Sequence, residues 1–134
     1  MSKLIDIEGI DDTIAESLKT AGISSIEQLL AAGADKKGRK ELAANTGLPD
    51  DHILNWLNRA DLSRVNGIST QYSNLLELSG VDTVPELAQR NAENLHKKMT
   101  EINADKSLVK KVPALSQVED WVSQAKALPR AIFY

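Results

Sequence analysis

A pattern that occurs twice, 58 positions apart, limits what this chain can fold into more than any other feature. The segment EGIDDTIAESLKTAGISSIEQLLAAG begins at Glu8, and NGISTQYSNLLELSGVDTVPELAQRN begins at Asn66. Gly9 falls on Gly67, Ile10 on Ile68, Leu18 on Leu76, Gly22 on Gly80, Ile23 on Val81, Ile26 on Val84 and Leu29 on Leu87. Two glycines at one spacing, each beside an aliphatic residue, imply two copies of one small helical unit.

The helices of each copy read from apolar spacing and end signals. After Gly9, the residues Ile14, Leu18 and Ala21 fall four and then three apart, a helical stripe. Asp11 or Asp12 is placed to cap it, since a short carboxylate accepts from the free N–H groups of a first turn. Gly22 supplies the positive φ at which such a helix stops. Ser24 and Glu27 are spaced as a capping box for a second helix carrying Ile26, Leu29 and Leu30 and closed by Gly33. Thr83 and Glu86 repeat the box in the second copy, where Pro85 is tolerated in a first turn. A third helix is expected from about Asp35 to Thr46, with Leu42 and Ala43 inward and Gly47 at its end. Its counterpart from Asn91 carries Leu95, Met99 and Ile102. Each copy then closes with an amphipathic helix: Ile53, Trp56, Leu57 and Ala60 in one, Val118, Trp121, Val122 and Ala125 in the other. These last stripes are 65 apart, so the second copy carries seven more residues, placed within Asp105–Ser116. A tryptophan at one helical position in both copies reads as a core anchor, and Trp56 and Trp121 are assigned that role.

Composition agrees with helix. Ala, Leu, Glu and Lys are common and aromatics make up 4% of the 134 residues, so the core must be aliphatic. The fold expected is all-α: two tandem modules of four to five short helices each, residues 1–63 and 64–134, with an apolar tail on the second. The joining stretch Asp61–Asn66 has no proline and no low-complexity character, unlike a loose tether. Modules of roughly 60 residues are marginal alone, so the two are expected to pack as one unit.

A helix, a short turn with glycine and an aliphatic residue, a second helix and a following short helix resemble the helix-hairpin-helix family. EGIDDTIAESLKTAGI and NGISTQYSNLLELSGV look like its core motif, and ISSIEQLLAAG and VDTVPELAQRN resemble the short helix of recombinase N-terminal domains. The longer run includes GADKKGRKELAANTGL, WLNRADLSRVNGI, VPELAQRNAENLHKKM and QVEDWVSQAKALPR. It is similar, from about Leu4 to Tyr134, to a bacterial tandem family catalogued only as a domain of unknown function. The helix-hairpin-helix resemblance implies DNA phosphate held by turn amides at a helix start, where free N–H groups and the helix dipole favour an anion. Both turns depart from that family's Gly-aliphatic-Gly. They keep Gly9-Ile10 and Gly67-Ile68 but carry Asp11 and Ser69 where the second glycine belongs. Asp11 and Asp12 put carboxylates where a phosphate would sit. Ser69 is less hostile, because a hydroxyl can donate to phosphate.

Other groups were weighed for chemistry. Lys36, Lys37, Arg39 and Lys40 form one basic cluster; Lys97, Lys98, Lys106, Lys110 and Lys111 form another, with Arg59 and Arg64 beside the linker. Aligned on one face they could follow a phosphate backbone despite the net charge of −3; otherwise they are a solvated surface. No aromatic residue stands among them to stack on bases. The absence of cysteine excludes a disulfide framework and thiolate metal sites. His52 and His96 lack the spacing of a zinc site, and no nucleophile elbow or phosphate loop is present. No enzyme, cofactor, metal or small-molecule substrate is therefore expected. MSKLIDIEGI lacks a stretch apolar enough for secretion, no run suits a membrane helix, and the expected compartment is cytoplasmic. The tail ending in Ile132, Phe133 and Tyr134 either folds back onto the chain or meets a partner. The leading expectation is a non-catalytic module for protein contact or self-association. The alternative is weak, sequence-independent binding of nucleic acid through the second turn and the lysines.

Overall fold

Short capping side chains and glycines set the helix boundaries of this chain, and the computed structural model describes them over residues 4–7 and 9–133, apart from the side chain of Thr70. A 3-10 turn at Leu4–Asp6 precedes α1 (Asp12–Thr20), α2 (Ile26–Ala32), α3 (Lys36–Thr46) and α4 (Asp50–Leu62). There follow α5 (Thr70–Leu78), α6 (Val84–Ala88), α7 (Ala92–Lys106) and α8 (Leu115–Ala127). The described residues contain no strand, and the chain is all-α as expected.

The chain divides into two compact units, one of Met1–Asp61 with Arg130–Tyr134 and one of Leu62–Pro129. The sequence reading placed the division after residue 63 and left the tail with the second module. The tail groups instead with the first unit, and Ile132 is the reason: it is 2% exposed and belongs to the first unit's apolar cluster. That cluster gathers Leu4, Ile7, Ile10, Leu18, Ile23, Ile26, Leu29, Leu30, Leu42, Ile53, Trp56, Leu57 and Ala60. The second gathers Leu62, Val65, Ile68, Leu75, Leu76, Val81, Val84, Leu87, Leu95, Met99, Val109 and the α8 residues Val118, Trp121, Val122 and Ala125. Each fully buried aliphatic side chain contributes roughly 1.5–3 kcal/mol of apolar transfer, so these clusters hold the units together.

The same local bonds recur 58 positions later, from the first turn onward. Ile7 N–H donates to Leu4 and Ile10 N–H to Ile7; Val65 donates to Leu62 and Ile68 to Val65. The three buried aliphatics of each entry turn are thus set by one repeated bond pattern that begins before the glycine. At the other end of α1, Ile23 N–H reaches Leu18 carbonyl at 2.9 Å and Gly22 N–H reaches Lys19 at 2.9 Å. Val81 to Leu76 at 2.9 Å and Gly80 to Glu77 at 3.0 Å repeat this on α5. These are Schellman closures: the glycines take φ of 90° and 94°, and the aliphatic pairs Leu18–Ile23 and Leu76–Val81 are buried in their clusters.

The cap of α2 differs from the expected Ser24–Glu27 box by one residue. Ser25 is the N-cap and accepts from Gln28 N–H at 3.1 Å, while Gln28 Oε1 accepts from Ser24 N–H at 2.7 Å. Glu86 reaches back from α6 in the corresponding way, to Asp82 N–H and to the Thr83 hydroxyl, both at 3.4 Å. The additional residues of the second copy lie partly in α7, which has 15 residues against 11 in α3, and partly in the loop after it. Asn103 holds that loop, its amide donating to Val109 carbonyl at 3.0 Å and accepting from Val109 N–H at 2.9 Å. None of the described helices is long and apolar enough to cross a membrane.

Candidate interaction site

Both turns are built around a tryptophan. Gly9 has φ 96°, and a Cβ there would lie 2.8 Å from Trp56 Nε1; Gly67 has φ 99°, with Trp121 Nε1 2.9 Å from the same point. Only glycine allows both the backbone angle and the close indole. Trp56 and Trp121 are 3% and 1% exposed, buried among the aliphatics as core anchors. Ile10 and Ile68 are buried beside them.

The polar residues that follow are already in use. Asp11 Oδ1 accepts from Ile14 N–H at 2.8 Å, so the first turn carries its own anion over the start of α1. Asp12 is exposed next to it. Ser69 caps α5 through Tyr72 N–H at 3.4 Å, a long and weak bond that leaves the second turn less firmly closed. The Tyr72 ring lies 5.3 Å from that of Trp121, and its hydroxyl donates to Lys111 carbonyl at 3.2 Å. That bond brings Lys111 to the first turn of α5.

Lys36, Lys37, Lys40, Lys97, Lys98, Lys106, Lys110 and Lys111 are exposed. Arg39 does not join them. It is 9% exposed, with Nη1 donating to Gly33 carbonyl at 2.9 Å and Nη2 to Phe133 carbonyl at 3.0 Å. Arg64 Nη2 donates to Pro129 carbonyl at 2.6 Å, and Arg59 is half-buried and engaged. His52 is exposed with its ring 6.1 Å from that of Trp56, and His96 is half-buried. Burial, then the neighbouring Glu86 and Glu77, raise the Asp82 carboxyl above its ordinary value.

The tail completes the picture in the first unit. Phe133 N–H donates to Ala34 carbonyl at 2.7 Å while its own carbonyl takes the Arg39 bond. Arg130 braces the segment, with Nε donating to Ile132 carbonyl at 2.7 Å and its guanidinium 5.6 Å from the Phe133 ring centre. Ile132 is buried, Phe133 is 53% exposed, and Tyr134 lies outside the described residues. Arg39 donates to the carbonyl of Gly33, the C-cap of α2, and the segment donates to the carbonyl of Ala34 in the loop before α3. The corner is tight: a Cβ on Gly33 would lie 2.5 Å from Leu57 Cδ1, and one on Gly38 would lie 2.1 Å from Ala32 carbonyl. Reading the basic cluster by composition missed Arg39's role. Its spacing was the available signal, since Arg39 stands three residues before the buried Leu42 on one face of α3.

A family model described as Domain of unknown function (DUF4332) matches residues 8–128. No curated protein matches the chain, and no solved structure matches it.

Proposed function

This chain belongs to the family described as Domain of unknown function (DUF4332), and we propose that it is a non-catalytic helical module that binds protein. One observation carries this reading: the first unit already holds a non-helical peptide segment, its own residues 130–133. It does so with one main-chain bond, from Phe133 N–H to Ala34 carbonyl, one bond from the Arg39 side chain to Phe133 carbonyl, and one buried side chain. Main-chain bonds with a pocket for a single side chain are a recurrent chemistry of peptide recognition. The first turn supports the same reading, because the Asp11 carboxylate stands where a phosphate would be held. The proposed setting is the cytoplasm, where a chain without cysteine needs no oxidative folding.

A second reading has its own support. The 3.4 Å bond of Ser69 and the approach of Lys111 to α5 suit weak, sequence-independent contact with a nucleic-acid backbone through the second unit. Titration with duplex and single-stranded DNA at low salt, followed by a salt series, separates the two. The protein-binding module gives no saturable DNA binding, and a photo-crosslinker in place of Phe133 yields a discrete protein adduct that one in place of Lys97 does not. Saturable DNA binding that falls steeply with salt, and is lost when Lys97, Lys98, Lys110 and Lys111 become Glu, would establish the second reading instead.

A further inference from the structure

We propose that the corner between α2 and α3 is a binding site for extended peptide segments of other proteins, and that residues 130–133 are its resident, competing occupant. This rests on the chain being a protein-binding module and names the partner's chemistry. The ligand is an extended segment with an aliphatic, preferably β-branched, anchor followed by an aromatic residue, as in Ile132-Phe133.

Three features of the corner define that ligand. Ala34 carbonyl takes an N–H from it, and Arg39 gives an N–H to its carbonyl, so main-chain recognition is independent of side-chain identity. The cluster that encloses Ile132 selects one apolar side chain. Phe133 stays 53% exposed, so the aromatic position lies at the rim, where a larger partner adds contact. Arg39 bridges corner and ligand, donating through Nη1 to Gly33 carbonyl and through Nη2 to Phe133 carbonyl.

Phe133 bonds the tail to the corner through its N–H and its carbonyl, and Ile132 anchors it in the cluster. What favours the resident segment is its tether, which keeps it at an effective concentration of the order of millimolar. A segment in trans must overcome that advantage.

The test uses a labelled synthetic peptide of residues 128–134 and fluorescence anisotropy. A chain ending at Pro129 is expected to bind it saturably, and the intact chain at least tenfold more weakly. The peptide carrying Ile132→Asp, and the shortened chain carrying Arg39→Gln, should each lower affinity at least tenfold. Circular dichroism checks folding, and the intact chain with Ile132→Asp, whose tail is released without truncation, serves as a second receptor. The proposal is overturned if both receptors stay helical and bind no peptide, or if intact and shortened chains bind it equally. Loss of helix in both receptors also overturns it, since the tail is then a fixed part of the core. Failure here without DNA binding leaves the protein-binding reading intact on other surfaces, whereas salt-sensitive DNA binding in the titration above removes that reading itself.

Discussion

One methyl group added at Gly9 should destabilise this protein more than the same group at Gly22, and the difference measures how closely Trp56 fits beneath the turn. The two glycines share a positive φ, 96° and 90°. Alanine there costs about 1–2 kcal/mol in backbone strain alone. At Gly22 nothing lies within 4 Å of the new carbon, so that strain is the whole effect. At Gly9 the new carbon would sit 2.8 Å from Trp56 Nε1, against about 3.5 Å for an ordinary contact. The indole is 3% exposed and cannot swing into solvent, so the turn or the core must yield, at about 1–3 kcal/mol more. Gly9→Ala should therefore cost about 2–5 kcal/mol in total and Gly22→Ala about 1–2 kcal/mol. Urea unfolding followed by circular dichroism gives both values, provided the slope with denaturant is unchanged. Gly67→Ala repeats the test against Trp121, 2.9 Å from the added carbon. Equal losses at Gly9 and Gly22 would mean that the indole moves aside freely, and the steric argument for the first glycine of each turn would be wrong.

The caps give a second comparison. Asp11→Ala removes a 2.8 Å bond and should cost about 1 kcal/mol, whereas Ser69→Ala, losing one of 3.4 Å, should cost less than half of that; equal falls in thermal midpoint would refute the ranking. Asp82 predicts a pH dependence. Its carboxyl is raised by burial and then by Glu86 and Glu77, so the folded state binds this proton more tightly than the unfolded state does. That contribution to stability is full below the ordinary value of 3.8 and is lost as pH rises through the raised one. Asp82→Asn should consequently be more stable than the parent at pH 7, with the gap closing as pH falls to 3.8. A gap that widens in acid would show the sign to be wrong.

What could be read from sequence was local. Helix ends at Gly22 and Gly47 were legible because a positive φ is a property of one residue, and the structure finds both there. The stripes of α4 and α8 were legible because their buried residues lie within one helix. The cap of α2 slipped by one residue because Ser-Ser-Ile-Glu-Gln accommodates two registers. Matching Thr83 and Glu86 back by 58 positions selects Ser25 and Gln28. The turn sites were legible in part. That Asp11 guards its amide follows from its type, but the place of a tryptophan beneath each glycine depends on packing across the unit.

Arg39 and the tail were illegible for a different reason: 94 residues separate Arg39 from Phe133. The second unit offers the contrast. There Asn103 clamps the bend at Val109 with two bonds across six residues, and Val109 is buried as Ile132 is. The two clamps have similar chemistry, a polar side chain gripping main-chain atoms beside one buried aliphatic residue. They differ in loop length by about four doublings, each worth about 0.6 kcal/mol of closure entropy while the intervening chain is unfolded. The Val109 clamp is consequently local and the tail contact distant. Arg39, which sequence alone groups with the exposed lysines, is instead buried and bonded to the carbonyls of Gly33 and Phe133.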